Sequence, residues 1–383
     1  MICEKTESFI VGTIMEQNWQ YFLSYICFHF AYLMSNFSLV RYLLCATGLT
    51  LLISAFFNTL SISCKGRGVL VTGCDTGFGH ELAKKLHSYG FTVFAGCLDG
   101  KSNGAIRLKR LVDVTSQEGV DKALQYVEAN LPEHGLWGLV NNAGQSSSPG
   151  FLEWTPMKVY EKVMAVNVFG VIRVTNAFLP LIRKSQGRIV NVSSILARTL
   201  SPFSGSYTIT KNVIDAYTTI LRLEMKRFNV KVVVVEPGNF MTATNFSTCN
   251  GQGGFAFNSR RMWDQLDEKI QNDYGKDCLE RQIFVAEKLV EMSEGEPSYV
   301  VDAMASGIRR LYPKNRYFIA SISEKMMAWS MQYLPLCISD LLVAGIESHT
   351  IPIAIVPYIK YIVLVPSFII LLLLAAGLRT IGA

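Results

Sequence analysis

The amino-acid sequence predicts an α/β protein, a doubly wound parallel sheet with apolar membrane-type segments at both ends. Three observations carry that prediction. Short β-branched runs alternate with amphipathic stretches, a glycine-rich turn joins the first run to the first amphipathic stretch, and nearly uncharged apolar tracts bracket the chain. Half of the 383 residues are apolar and 17% are charged, below the ~25% usual for soluble domains. Disorder is excluded, and part of the chain is expected in lipid. The 36 basic and 30 acidic residues leave a formal charge of +6 with no dense Lys/Arg tract. No nucleic-acid partner is therefore expected, while attraction to anionic membrane lipid stays open. Nine scattered cysteines without a C-x-x-C pair, and five histidines without ligand spacing, point to free thiols in a reducing compartment and to no metal site.

Residues 1–64 are expected to be a membrane-anchor region. Val40–Leu60 approaches the ~20 apolar residues a hydrocarbon core demands, with a buried core helix as the alternative. Trp19–Met34 is shorter and contains His29; it fits half of a hairpin, an interfacial helix or part of a tilted element. The N-terminus lacks the basic opening of a secretory signal and its apolar stretch is too long for one, and acidic Glu4, Glu7 and Glu16 do not fit a mitochondrial presequence. Residues 65–320 carry the strand-like runs Gly68–Thr72, Phe91–Gly96, Arg110–Val114, Trp137–Asn141, Gly187–Ser193 and Lys231–Pro237, read as buried parallel strands. Residues 321–350 form an amphipathic segment that either caps the active site or lies on the membrane. Residues 351–383 hold a second membrane segment, Tyr361–Leu378, interrupted by Pro366.

The turn T-G-C-D-T-G-F-G, Thr72–Gly79, follows the first strand and opens into a helix. Gly73, Gly77 and Gly79 would serve the tight turn, the approach of a pyrophosphate and close helix packing, with the helix N-terminus facing the phosphates. An acid at the end of the second strand selects NAD over NADP; Asp99 is the expected residue, and the loop itself carries Asp75 and no base. Tyr207 and Lys211 are four residues apart, so on a helix they share a face. An ammonium there is expected to lower the phenol from its ordinary value near ~10 and make it a general base at neutrality.

The G-x-x-x-G-x-G spacing, NNAG at Asn141–Gly144, Asn167, Ser194, Y-T-I-T-K at Tyr207–Lys211 and Pro237–Gly238 together resemble the short-chain dehydrogenase/reductase family over about Gly68–Val343. The subgroup resembled is that of D-3-hydroxybutyrate, 17β-hydroxysteroid type 2 and retinol dehydrogenases. The resemblance implies a Rossmann-type fold and a catalytic set of Asn167, Ser194, Tyr207 and Lys211. In it Ser194 holds the reacting oxygen, Lys211 holds the nicotinamide ribose and Asn167 supports a water relay. Thr72, Gly73, Asp75, Thr76, Gly77, Phe78, Gly79, Asp99, Asp113, Asn141, Ala143, Gly144, Pro237, Gly238 and Thr242 make the implied cofactor set. The linker Cys97–Lys109 is short for a strand–helix–strand crossover of about a dozen residues, which would open one wall of the adenine pocket.

After the Lys231–Pro237 strand, Phe246, Phe255, Phe257, Met262 and Trp263 suit either an apolar lid or a surface loop tucked into the core. With Phe246 and Trp263 as substrate contacts, a lipophilic alcohol or ketone such as a steroid or retinoid is expected. Arg198, the sole charge between Ser194 and Tyr207, would instead anchor a small hydroxy acid. A non-catalytic membrane scaffold is the reading of another class, and a homodimer stays open. The endoplasmic reticulum membrane is the expected location, with a mitochondrial membrane as the alternative.

Overall fold

The computed structural model describes residues 39–98, 113–244, 254–293, 296–336 and 339–340. Helix α1 (Leu39–Thr59) is followed by β1 (Gly68–Thr72), α2 (Gly77–Ser88), β2 (Thr92–Gly96), α3 (Gln117–Ala129) and β3 (Leu136–Asn141). Next, α4 (Met157–Met164), a π-helical turn (Ala165–Gly170) and α5 (Val171–Lys184) form one continuous run, leading to β4 (Arg188–Val192) and α6 (Gly205–Met225). The chain continues through β5 (Lys231–Pro237), α7 (Phe255–Trp263), α8 (Glu268–Tyr274), α9 (Lys276–Glu291), α10 (Ser298–Arg309), β6 (Arg316–Ile319) and α11 (Ile322–Tyr333).

The strands form one sheet in the order β2-β1-β3-β4-β5-β6, every pair parallel. Side chains alternate between two helical layers. Val69, Val71, Val140 and Val190 pack with Leu82, Leu86, Met304 and Ile308 of α2 and α10. Leu70, Leu139 and Ile189 pack with Val120, Phe178, Ile182 and Leu221 of α3, α5 and α6. Both faces being covered, β1 and β3 are buried along their whole length, which is why they read as unbroken apolar runs. The chain leaves β1 toward β2 and returns to β3 on β1's other side. This reversal opens a crevice above the carboxyl ends of β1 and β3, where ligands of such sheets bind.

One strand expectation is corrected, and with it the short crossover before Arg110, since the chain runs from β2 through α3 to β3 at Leu136. Of Arg110–Val114, the described residues Asp113 and Val114 form a turn, where the Asp113 carboxylate accepts from Thr115 N (2.8 Å) and Thr115 Oγ1 (2.7 Å). The sixth strand is instead β6, at the far edge beside β5. Only Tyr317 is buried in it, so it lacks the apolar run that marks a central strand.

Helix α1 occupies the expected Val40–Leu60 span, and Leu51, Leu52 and Phe56 are exposed on it. Its apolar stretch, Cys45–Phe57, is shorter than the ~20 residues of a full crossing. Among the described residues, one helical run, Met157–Lys184, is long and apolar enough to cross a membrane. Val163, Val168, Val174, Phe178 and Ile182 of that run are buried in the fold, which makes it a core helix. Trp19–Met34 and Tyr361–Leu378 lie outside the described residues.

Candidate active site

The glycine loop sits at the crevice. Gly73 has φ +70°, and a Cβ there would lie 2.8 Å from Ala143 Cα; both facts demand glycine in this turn. At Gly79 a Cβ would meet the Gly73 carbonyl oxygen at 2.2 Å, so helix α2 packs on the loop's own backbone. Thr72 Oγ1 accepts from the N–H groups of Asn142 and Ala143, 3.1 Å each, and Asn142 Nδ2 donates to the carbonyls of Thr72 and Gly73, 3.0 Å each. These bonds lock the two loops that flank the crevice. Thr76 makes no side-chain cap at the start of α2, so the first N–H groups of that helix stay available for an anion. Asp75 accepts from Leu98 N at 2.9 and 3.1 Å, which places a carboxylate at the end of β2. These features fit a dinucleotide: an uncapped helix start for the pyrophosphate and an acid near the position of the ribose hydroxyls.

A cavity of about 1310 Å³ runs from this loop across the ends of β4 and β5. Gly73, Asp75, Thr76, Gly77, Phe78, Ala143, Gly144, Ser194, Tyr207, Lys211, Pro237 and Gly238 line it, so one wall gathers most of the expected cofactor set and three of the four expected catalytic residues. Ser194, at the end of β4, turns its hydroxyl oxygen to Leu196 N (3.2 Å) and hydrogen-bonds the Tyr207 hydroxyl. Lys211 lies one turn along α6; its Nζ donates to Val192 O (3.0 Å) and stands 5.4 Å from the Tyr207 ring centroid. Ser193 Oγ donates to Lys211 O at 3.0 Å, tying α6 to β4.

Asn167 lies in the π-helical turn, an irregularity that often marks a functional position. Its Nδ2 donates to Gln145 O (2.9 Å) and Thr210 Oγ1 (3.0 Å), while its Oδ1 accepts from Gln145 N (2.8 Å). The amide therefore joins the β3 exit loop to the helix that carries Tyr207 and Lys211.

The expected lowering of the Tyr207 phenol is not what the pocket produces. Burial pushes Tyr207 up, only partly offset by its hydrogen bond to Ser194. Burial also pulls Lys211 down to about 8. Desolvation disfavours the charged form of each group, so the pocket favours a neutral phenol.

Several expected residues lie elsewhere. Asp99 and Phe246 are outside the described residues. Asn141 is buried beneath the cavity, donating to Thr175 Oγ1 (2.9 Å) and Asn191 Oδ1 (2.8 Å). Thr242 bonds Ser293 and, like Asp113, is not in the cavity wall. Trp263 packs edge-on against Trp154, centroids 4.8 Å apart, in a separate aromatic cluster with Met262 and Leu279. Arg198 donates to Glu236 (2.9 Å) and Gln332 (3.0 Å). The buried Glu236 also pairs with Arg316, which in turn holds Asp215 of α6. Arg198 is thus a strut between β5 and α11 and is not in the cavity wall.

Sequence reading gave no role to Glu324, or to Asn142 within the NNAG motif. Glu324 caps α11 through Ser321 and accepts from Asn239 N at 2.7 Å. A Cβ at Gly238 would lie 2.6 Å from its carboxylate, which explains the glycine there. The S-x-x-E pattern of Ser321–Glu324 was the available signal. Helix α11 turns Met327 and Met331 into the cavity and leaves Ile322, Trp329 and Tyr333 exposed.

A short chain dehydrogenase model matches residues 67–252. The mitochondrial D-beta-hydroxybutyrate dehydrogenase of Rattus norvegicus is 40% identical over 297 residues, covering 74% of this chain and 85% of that one. The chain belongs to the short-chain dehydrogenase family. Retinol dehydrogenase 7 of Rattus norvegicus is 37% identical over 308 residues, 78% of this chain and 95% of its own. The crystal structure of a short-chain dehydrogenase from Streptomyces avermitilis, 23% identical, superposes with a TM-score of 0.55 over 75% of this chain and 99% of its own; this likeness concerns the fold. As a short-chain dehydrogenase the protein is an oxidoreductase of CH–OH groups, and its glycine loop fits a nicotinamide cofactor.

Proposed function

We propose that this dehydrogenase interconverts a hydroxyl and a carbonyl on a lipophilic small molecule, a steroid, retinoid or similar alcohol, with NAD as cofactor and Tyr207 as proton donor and acceptor. The observation that carries the reading is the Ser194–Tyr207–Lys211 cluster opening on a cavity whose other end is the glycine loop.

Gly77, Phe78 and the start of α2 would hold the pyrophosphate, and Lys211 and Gly144 the nicotinamide side. The cofactor supplies a hydride acceptor or donor. The residues supply position and a proton. A substrate oxygen seated between Ser194 and Tyr207 would exchange the hydrogen bond these two now share for bonds to itself. Reduction needs a proton on the phenol, which the pocket keeps there. Oxidation needs the phenol to give that proton up, and Lys211, near neutrality at about 8, is the adjacent group able to carry charge and relay it.

Asp75 of the glycine loop, held beside the end of β2 by Leu98 N, supports NAD, since a fixed carboxylate disfavours a 2′-phosphate; Asp99, in the segment after β2, would act in the same sense. The apolar residues Met241, Phe255, Met327 and Met331 in the wall support a lipophilic substrate. The apolar segments at both termini support membrane attachment, with the endoplasmic reticulum favoured over the mitochondrion. The test is a substrate panel on purified, detergent-solubilised protein. Turnover of steroids or retinol with NAD above NADP is the expected result; turnover of D-3-hydroxybutyrate alone, or preference for NADP, contradicts it.

A further inference from the structure

At about 1310 Å³ the cavity exceeds the ~300–1,000 Å³ of a site for one drug-sized ligand, so it has room for a sizeable molecule beside a cofactor. The wall formed by the β3 exit, α4 and α7 has an unusual charge balance. Lys158 and Lys162, one turn apart on α4, line it together with Val159 and Val163, and α7 adds Phe255, Asn258 and Arg261. Helix α7 is docked there by Ser259 Oγ, which donates to Pro149 O at 2.8 Å. Lys158, Lys162 and Arg261 have no ion-pair partner among the described residues. The carboxylates in the cavity wall are Asp75 and Glu324; both accept from backbone N–H groups in other walls. Unpaired cations interleaved with apolar side chains suit a molecule that is greasy along its body and anionic at one end.

We infer that the substrate is a lipophilic alcohol bearing an anionic end group, a carboxylate, sulfate or phosphate, which Lys158, Lys162 and Arg261 receive while the alcohol lies at Tyr207. The inference rests on the dehydrogenase reading and narrows its substrate class. It also moves the substrate's charge partner from Arg198, which Glu236 occupies, to the α4 and α7 wall.

The experiment compares matched pairs with the full-length, detergent-solubilised enzyme: a medium-chain 3-hydroxy acid against its methyl ester, and a steroid diol against its monosulfate, which keeps one free hydroxyl to be oxidised. An exposed ion pair changes affinity by roughly threefold, so three cations predict kcat/KM about tenfold or more in favour of the charged member. The pair that shows this preference separates carboxylate from sulfate. The preference should shrink as ionic strength rises from about 0.01 M to about 1 M, because salt screens exposed charges. In Lys158→Gln/Lys162→Gln/Arg261→Gln the ratio should fall toward one, and NADH binding reports whether this variant is folded. Equal or better turnover of the neutral members, or a preference indifferent to salt, overturns the inference and leaves the dehydrogenase reading standing. Failure to oxidise any member of either pair, or retinol, with either nicotinamide cofactor would sink both.

Discussion

The chemistry of this site turns on two side chains that burial drives in opposite directions. A folded chain that releases the Lys211 proton near pH 8 is compared with an unfolded chain that holds it to ~10.4. Between those values the unfolded state binds more protons, so stability rises with pH. The raised Tyr207 value acts the other way only above pH ~10, where the unfolded phenol ionises first. Cofactor-free protein should therefore resist guanidinium better at pH ~9.5 than at pH ~7, by at most on the order of 3 kcal/mol, and Lys211→Met should flatten that slope. Stability falling across the interval would show that the amine is not desolvated. Ser194→Ala removes a donor to the reacting oxygen and should lower kcat by roughly 10²–10³; steady-state kinetics at saturating NAD checks it. Tyr207 and Lys211 were legible because their four-residue spacing is local. The pairing of Arg198 with Glu236 was not legible, because the partner lies 38 residues away and no local pattern shows such a pairing.

At the scale of the element, the glycine loop and the β3 exit behave as one unit. Gly79→Ala would drive a methyl into the Gly73 carbonyl and should cost about 1–3 kcal/mol, lower Tm by several degrees and abolish NADH binding measured by fluorescence. A variant that binds NADH normally would show that the loop has room the geometry denies. Strands β1, β3, β4 and β5 were legible as runs of β-branched residues because helices cover both sheet faces. Strand β6 was not: it is an edge strand with Tyr317 alone buried. The Asp113–Val114 end of another apolar run became a turn, because Asp113 captures the Thr115 donors.

Over the whole molecule, the described residues that meet at the cavity fall between Gly73 and Met331, whereas the terminal apolar tracts lie outside that range in the sequence. Full-length protein should sediment with membranes. A chain lacking residues 1–59 and 351–383 should remain in the supernatant and still bind NADH. Loss of NADH binding on truncation would mean that the terminal segments help build the cavity. The central claim, however, is that the Tyr207 hydroxyl moves the proton beside a bound nicotinamide cofactor, and Tyr207→Phe tests it most directly. Measured on the same purified preparation, the variant should bind NADH as tightly as the wild type while turnover falls by at least ~10²; turnover retained with the phenol gone would contradict the account.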